Sequence, residues 1–343
     1  MTCYAPECIL THMLIRNFFF VIVGVLTMLI TLIGCGTPSL LITPVTRTDR
    51  LEEMRVDTPD KPSSDKIVVI AVDGLIANTR GSSPLGSTEN RLSAFAQQLK
   101  KAEQDDRVKA VVLRINSPGG TVTGSDTMYE LVSRFRKKTG KIVVASCQEV
   151  TASGGYYVAC ASDAIVAQPT SVVGSIGVIY NSFHVDQLMG RVGVTNEVVK
   201  SGPMKDMGSP FHPLTAEERK IMQQMVDEYY ARFVEVVRQS RKPTDEARFA
   251  SAIDGRVMSG TAAMNAGLVD QLGLLEDAIQ LARVKANTPR AVGVMYRRPF
   301  GFSGSVYASA PAQTEPGESQ KFTFDFGNYA PNLPGGFYFL WRP

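Results

Sequence analysis

Three short apolar runs, rich in β-branched residues, constrain the fold of this chain more than any other feature. They are Lys66 to Val72, Val108 to Ile115 and Lys141 to Cys147. A continuous apolar run of this length is typical of a strand that is buried on both faces of a parallel sheet. Segments with helical spacing lie between them, at Asn90 to Ala102 and Gly124 to Lys137. This alternation predicts an α/β fold with a mostly parallel sheet.

Two small-residue motifs follow these strands, at the carboxyl ends where ligands bind in such sheets. They are Asn116-Ser117-Pro118-Gly119-Gly120 and Thr151-Ala152-Ser153-Gly154-Gly155. A serine between alanine and two glycines fits a tight strand-to-helix turn that exposes its hydroxyl group. Gly119 and Gly120 can turn their backbone N–H groups toward a developing oxyanion. Small residues also occur where a helix packs closely on a strand, so the motif alone makes Ser153 only a candidate nucleophile.

Composition and charge exclude several other functions. The net charge of +3 is the small remainder of 36 basic and 33 acidic residues, which gives no basis for nucleic-acid binding. The five cysteines form no CxxC pair and the three histidines show no metal-ligand spacing, so neither a zinc site nor a cofactor is expected. Cys147 and Cys160 are interpreted as small buried apolar residues. With so little histidine, the base for a serine nucleophile is expected to be another residue, such as a lysine that burial keeps neutral.

The N-terminus has the pattern of a targeting segment. Arg16 precedes an apolar run from Phe18 to Ile33, which ends in Leu32-Ile33-Gly34-Cys35. This ending resembles the lipobox of bacterial lipoproteins, in which the cysteine is lipidated. A plain membrane anchor is the alternative, although the run is short for a span of about 20 residues. Both interpretations place the chain on a membrane, and the lipoprotein interpretation places the catalytic domain outside the cytoplasm. Met13 is an alternative start.

The remaining composition divides the chain into four parts. Residues 1–35 are the signal or anchor segment, and residues 36–65 are polar and proline-bearing, as in a tether. Residues 66–285 are predicted to fold. Within them a long helix is expected from Thr215, with Glu218 completing a capping box. Residues 286–343 are rich in Pro, Gly and Ser and are expected to be a mostly disordered tail whose last segment could dock.

An ordered set of motifs gives the chain a specific resemblance. No single motif is specific, but together they resemble the signal peptide peptidase A (SppA) family of bacterial serine–lysine proteases, over roughly Lys66 to Ala282. The motifs are Asn116 to Gly120, Ala152 to Tyr157, Gly174 to Val178, Lys200 to Gly202 with Lys205-Asp206, and Asp254 to Arg256 with Gly267 to Asp270.

The resemblance implies a role for each site residue. Ser153 would be the nucleophile and Lys205 the general base, with Lys200 as the rival base. The Gly120 N–H would lie in the oxyanion hole, and the Ser175 hydroxyl would orient the lysine. Substrate is expected to contact three glycines while it binds as an added strand beside the first two: Gly119, Gly120 and Gly154.

The resemblance also implies a crotonase/Clp-like fold of repeated ββα units and a homo-oligomeric, dome-like ring of the half-length form of the family. Lys205 would have to be held neutral by burial, with Asp206 pointing away from it. The expected protein is a membrane-tethered serine endopeptidase that cleaves apolar peptides such as signal-peptide remnants. Two alternatives stay open: a crotonase-type acyl-coenzyme A enzyme on the same fold, and a non-catalytic membrane scaffold.

Overall fold

The computed structural model describes residues 51–79, 82–83, 86–87, 90–241, 245–297 and 336–341. The signal or anchor segment, with its apolar run and Cys35, lies outside these ranges. Within them, no helix has both the length and the apolar character needed to cross a bilayer.

The strands and helices are numbered separately in chain order. The strands are β1 (Glu52–Asp57), β2 (Lys66–Asp73), β3 (Ser82–Ser83), β4 (Gly86–Ser87), β5 (Val108–Ser117), β6 (Gly119–Thr121), β7 (Ile142–Ala152), β8 (Ala164–Ala167), β9 (Val172–Gly174), β10 (Ile179–Asn181), β11 (Val257–Ser259), β12 (Gln271–Leu272), β13 (Val292–Arg297) and β14 (Gly336–Leu340). The helices are α1 (Arg91–Gln104), α2 (Val122–Thr139), α3 (Gly154–Ala159), α4 (Asp186–Arg191), α5 (Ala216–Arg241), α6 (Glu246–Ala252), α7 (Gly260–Asn265) and α8 (Leu275–Lys285).

The three apolar runs form the centre of one sheet, as the sequence predicts. Its order is β1-β13-β2-β5-β7-β8-β12, while β9 also pairs with β7 and β11 with β9. The pairings of β1 and β11 are antiparallel, and the other pairings in this sheet are parallel. Val69, Val112 and Val144 lie side by side on β2, β5 and β7, and none of them is exposed. The expected α/β fold with a mostly parallel sheet is confirmed.

Each face of the sheet carries its own apolar core, because successive side chains of a strand point to opposite faces. Val68 and Ile70 pack on the side of α1 and α2, in a core that includes Phe95. Ile67 and Val69 pack on the opposite side, against α8. Complete burial of one such side chain contributes about 1.5–3 kcal/mol relative to exposure. A strand with two buried faces is therefore apolar throughout. This continuous apolar pattern is what predicts these strands from the sequence.

Two strands of the main sheet lie in segments that the sequence analysis placed outside the folded domain. β13 pairs with β2 along the edge of the sheet, and β1 pairs with β13 in turn. β1 was missed because its sequence, Glu-Glu-Met-Arg-Val-Asp, is mostly polar and partly exposed, as an edge strand can be. β13 is a short apolar strand, and the polar composition of the residues around it concealed it. The tether at 36–65 and the tail at 286–343 are therefore corrected at these positions.

A second sheet contains a further segment of the expected tail. β14 lies between β6 and β10 and runs antiparallel to both. Tyr338, Phe339 and Leu340 of this strand are buried. The last described segment of the chain is thus packed into the folded domain, next to the Gly119-Gly120 motif.

The capping box and the two domain cysteines agree with the sequence analysis. The Thr215 N–H donates to Glu218 Oε2 at 2.8 Å, and the Glu218 N–H donates to Thr215 Oγ1 at 3.2 Å, which caps α5. Cys147 and Cys160 are buried and free. Burial raises the pKa of each thiol to about 12, so both behave as apolar residues.

Candidate active site

Ser153 occupies the turn between β7 and α3. Its φ of 52° and ψ of −117° lie outside the regions that L-amino acids prefer, a conformation that costs roughly 1–3 kcal/mol. The turn is held by two backbone hydrogen bonds: the Ser153 N–H donates to the Gly174 carbonyl at 2.7 Å, and the Tyr157 N–H donates to the Ser153 carbonyl at 2.9 Å. The strand, turn and helix here have the arrangement that presents a nucleophile at the end of a strand.

The hydroxyl of Ser153 is buried without a partner. The residue is 1% exposed, and Oγ makes no hydrogen bond. An unsatisfied buried polar group costs about 1–3 kcal/mol, so native proteins keep few of them. Ser162 also has such a hydroxyl, but only Ser153 among the described residues combines it with a left-handed backbone. The two costs together indicate a functional constraint on this residue.

The glycines of both motifs meet beside Ser153. A Cβ atom added to Gly119, whose φ is 102°, would lie 2.7 Å from the Gly154 nitrogen. The Gly119 N–H donates to Ser117 Oγ at 3.1 Å, so it is already used. Two other backbone N–H groups in these motifs, those of Gly120 and Gly154, are candidates for oxyanion donors. The sequence predicts this role for Gly120 and only a substrate contact for Gly154.

Gly120→Ala is expected to lower kcat/KM for peptide hydrolysis about 100-fold or more. The added Cβ would overlap the carbonyl oxygen of Ile76, a rigid backbone group, so the donor strand would have to move. Loss of one oxyanion donor costs about 10²–10³-fold. Gly190→Ala on α4 is the matched control, since an added Cβ meets nothing within 4 Å there. Both variants are assayed below their unfolding temperatures; full activity of a folded Gly120→Ala variant would contradict this assignment.

Ser175 lies directly beside the nucleophile turn. It follows β9, whose Gly174 pairs with Ala152, and it also has a positive φ, of 53°. Its N–H donates to the Arg256 carbonyl at 2.7 Å, and only 9% of the residue is exposed. A cavity of about 340 Å³ borders it, with Tyr230 and Leu340 also in the lining. The Ser175 hydroxyl is therefore placed close to the end of β7, as a residue that orients a base would have to be.

The two candidate lysines lie on an irregular segment between α4 and α5. Lys200 Nζ binds Asp206 Oδ1 at 2.7 Å and the Pro203 carbonyl at 3.2 Å, so its charge is stabilised. The Lys205 side chain is exposed and makes no hydrogen bond or ion pair with any described residue. Asp206 turns toward Lys200 and His212 rather than toward Lys205, as expected. The contacts disfavour Lys200 as a base, but the single chain does not provide the burial that was expected for Lys205.

The segment with these lysines has an unusual apolar surface. Eight of the eleven exposed large apolar residues in the described part of the chain lie between positions 179 and 211. Every residue from 191 to 200 is exposed. The eight residues are named here as the apolar strip: Ile179, Phe183, Leu188, Val192, Val194, Val198, Val199 and Phe211. Such a concentration of exposed apolar residues in one stretch of the chain is typical of an interaction surface.

Asp206, His212 and Glu218 form the one cluster in the described ranges whose side chains could together hold a metal ion, within 4.8 Å of one another. The sequence gave no sign of it, because the spacing follows no ligand motif. His212 Nδ1 contacts the Pro213 carbonyl at 2.9 Å, and this hydrogen bond and the Asp206 carboxylate raise the pKa of His212. The hydrogen bond from Lys200 lowers the pKa of Asp206. Lys200 and His212 both contact the Asp206 carboxylate, which links the lysine-bearing segment to the residues just before α5.

Comparisons with known proteins agree with this geometry. The profile of Peptidase family S49 matches residues 135–288, and that of Clp protease matches residues 85–173. The second match spans both glycine motifs and Ser153, and the fold is Clp protease-like.

Three relatives illustrate the similarity. A putative signal peptide peptidase SppA of Enterococcus faecium is 37% identical over 244 residues, which cover 71% of this chain and 70% of the relative. The putative protease slr0021 of Synechocystis sp. is 37% identical over 221 residues, 64% of this chain and 74% of the relative. Protease 4 of Salmonella typhi is 36% identical over 194 residues, 55% of this chain and 31% of that longer protein.

Proposed function

Because the chain belongs to peptidase family S49, and is thus a serine-type peptidase, we propose that it hydrolyses apolar peptides with a Ser153–Lys205 dyad. The observation that carries the proposal is the strained turn at Ser153, with its unpartnered buried hydroxyl beside the Gly120 and Gly154 N–H groups. A candidate nucleophile and two candidate oxyanion donors would then lie together at the carboxyl end of the sheet.

The proposed reaction has two stages. Ser153 Oγ attacks the peptide carbonyl carbon while its proton passes to Lys205 Nζ, and the negative oxygen is held by the Gly120 and Gly154 N–H groups. The intermediate collapses, the C–N bond breaks, and the lysine returns the proton to the leaving amine. Water then attacks the acyl-enzyme while Lys205 takes its proton, the ester C–O bond breaks, and Lys205 passes the proton to Ser153 Oγ as the free acid leaves. The Ser175 hydroxyl would accept a hydrogen bond from Nζ and fix the position of the amine.

Lys205 can serve as a base only if its side-chain amine is buried away from solvent. A lysine carries its charge near neutral pH unless burial destabilises the charged form. The apolar strip and Lys205 lie in the same stretch of the chain, between positions 179 and 211, and a second copy of the chain packed on this stretch would cover both. Homo-oligomers usually repeat one interface in a closed symmetric arrangement. We therefore include a homo-oligomeric ring in the proposal, with the active site completed by assembly.

The substrate is proposed to bind as an extended strand beside Gly119 and Gly120. β14 supports this mode, because it already pairs with β6 in the manner of an added strand. The N-terminal segment would tether the domain to a membrane, through lipidated Cys35 or a plain anchor, with the catalytic domain outside the cytoplasm. Signal-peptide remnants are apolar peptides that such an enzyme would meet there.

The test is a comparison of two substrates with the detergent-solubilised full chain. A fluorogenic peptide with an apolar side chain on the acyl side should be cleaved, whereas a short-chain acyl-coenzyme A thioester should not be turned over. Turnover of the thioester alone would favour the crotonase-type alternative. If an assembled oligomer turned over neither substrate, the scaffold alternative would replace the peptidase.

A further inference from the structure

We infer that the turn formed by Asp254, Gly255 and Arg256 sets the position of both serines of the candidate site through a single peptide group, and that Asp254 is the positioning residue of this turn. The motif is part of the family resemblance, but no role has been given to it so far. This role rests on the proposed function. It adds the element that holds both the nucleophile and the residue expected to orient the base.

One peptide group joins the candidate site to the turn. The Ser153 N–H donates to the Gly174 carbonyl at 2.7 Å, and the Ser175 N–H donates to the Arg256 carbonyl, also at 2.7 Å. The Gly174 carbonyl and the Ser175 N–H belong to the same peptide bond. Because a peptide group is planar and stiff, it moves as a whole. A shift of the Arg256 carbonyl is therefore passed on to the backbone of Ser153.

The backbone around this peptide group has a conformation that must be held in place. Gly174 has a φ of 103°, Ser175 a φ of 53° and Ser153 a φ of 52°. Residues with a side chain rarely adopt such angles, and they keep them only where the surrounding structure enforces them. Gly174 pairs with Ala152 of β7 on one side and with Val257 of β11 on the other. Since β11 starts directly after the turn, the turn fixes one of these two sides.

The side chain of Asp254 closes the turn. Its Oδ1 accepts the Arg256 N–H at 3.1 Å, a hydrogen bond by which aspartate commonly stabilises a turn. The guanidinium group of Arg256 binds the same carboxylate at 2.8 and 2.6 Å, which lowers the pKa of Asp254. Gly255, between them, has a φ of 91°. Arg256 is thus fixed by its N–H and its side chain, and its carbonyl is the group that holds Ser175.

The hydrogen bond to the backbone is expected to matter more than the ion pair. The side chains of Asp254 and Arg256 are 45% and 58% exposed, and ion pairs with this exposure contribute little. Asp245 and Arg248 form a pair of the same kind at the start of α6. Asp245 Oδ1 accepts the Arg248 N–H at 3.0 Å, and Oδ2 binds its Nε at 3.2 Å. Asp245 therefore offers a matched control.

The experiment compares Asp254→Ala, Asp254→Asn and Asp245→Ala in the full chain, with the mass of the assembly checked for each. Asp254→Ala is expected to lower kcat about tenfold to a hundredfold, because a misplacement of about 1 Å can cost 10²-fold. KM should stay within about threefold, since the glycines expected to contact substrate lie on β6 and α3. Asp254→Asn should keep kcat within about twofold, because its amide oxygen accepts the same hydrogen bond. Asp245→Ala should do the same.

Gly255→Ala changes the backbone of the turn without touching the carboxylate. An added Cβ meets nothing within 4 Å, so only the positive φ is disfavoured. We expect kcat to fall about tenfold. Gly140→Ala is the control, because Gly140 also has a positive φ, of 67°, and free space around an added Cβ, but lies at the end of α2. Its kcat should stay within about twofold.

Hydrogen exchange measures the effect on the two serines without any need for catalysis. In Asp254→Ala the fragments that contain the Ser153 and Ser175 amides should exchange about tenfold faster or more, as determined by mass spectrometry. In Asp254→Asn and Asp245→Ala their exchange should match that of the wild type. A merely stabilising ion pair would give the same exchange in Asp254→Ala and Asp245→Ala.

The opposite outcomes would reject this role of the turn. Unchanged kcat and exchange in a folded Asp254→Ala would do so, as would equal losses in Asp254→Asn, because the charge and not the turn would then matter. A higher KM at unchanged kcat would make Asp254 a substrate contact instead. If Asp254→Ala does not fold, Gly255→Ala decides, and a result equal to that of Gly140→Ala rejects the role. If exchange accelerates as expected but the wild type cleaves no peptide, the proposed function fails and the turn still holds both serines.

Discussion

Ser153→Ala is expected to lower kcat/KM for peptide hydrolysis about ten-thousandfold or more, with the fold unchanged. Removal of the nucleophile of a serine hydrolase leaves only the catalysis that substrate binding and the oxyanion donors provide. Alanine has almost the volume of serine, and the hydroxyl that it removes has no partner to leave unsatisfied. The circular dichroism spectrum should therefore match that of the wild type, and the unfolding temperature should be equal or higher, because a buried hydroxyl without a partner has been removed.

Ser162→Ala is the matched control for this variant. Ser162 is also buried and its Oγ also lacks a partner, but it lies beyond α3 and away from the glycine motifs. Its loss should leave kcat/KM within about twofold of the wild type. Equal losses in both variants would show that a buried hydroxyl, rather than a nucleophile, had been removed, and the assignment of Ser153 would fail.

Lys205→Ala is expected to lower kcat/KM about a thousandfold or more. A positioned general base contributes about 10²–10⁴-fold, and the rival candidate, Lys200, is held by Asp206. Lys205→Arg should be equally inactive, because a guanidinium group keeps its proton at any accessible pH. These effects are measured on the assembled oligomer, whose mass is checked for every variant.

Lys200→Ala is the control and separates the two lysines. It removes an ion pair with Asp206 that is partly exposed, and such surface pairs contribute little to stability. We expect kcat/KM within about threefold of the wild type. Loss of activity in Lys200→Ala but not in Lys205→Ala would exchange their roles, and activity in Lys205→Arg would show that a positive charge rather than a base is needed.

The core of the fold could be predicted because the patterns that indicate it lie within short stretches of consecutive residues. β2, β5 and β7 are apolar throughout since both of their faces are buried, and the cap at Thr215 and Glu218 needs only four consecutive residues. β1 and β13 were missed for the opposite reason, and β14 was expected only as a docking segment without a known partner. Each is short, and each is ordered by partners far away in the chain, as in the pairing of β13 with β2 or of β14 with β6.

The motifs of the candidate site could be predicted from the sequence, but the strand that pairs with them and the exposure of Lys205 could not. The small residues around Ser153 and Gly120 are visible in the sequence, since close backbone approach excludes side chains there. The pairing of Phe339 with Gly120 could not be predicted, because it depends on the register of a strand more than 200 residues away in the chain. The exposure of Lys205 could not be predicted either, because no local sequence pattern shows whether other parts of the fold cover a side chain.

The most direct test of the dyad is a double-mutant cycle in kcat/KM with the wild type, Ser153→Ala, Lys205→Ala and the double variant. Two residues that act as one unit lose their common contribution when either is removed. We therefore predict that the double variant is no slower than Ser153→Ala alone. If the fold-loss of the double variant equals the product of the two single fold-losses, Ser153 and Lys205 act independently. That result would contradict the proposed mechanism.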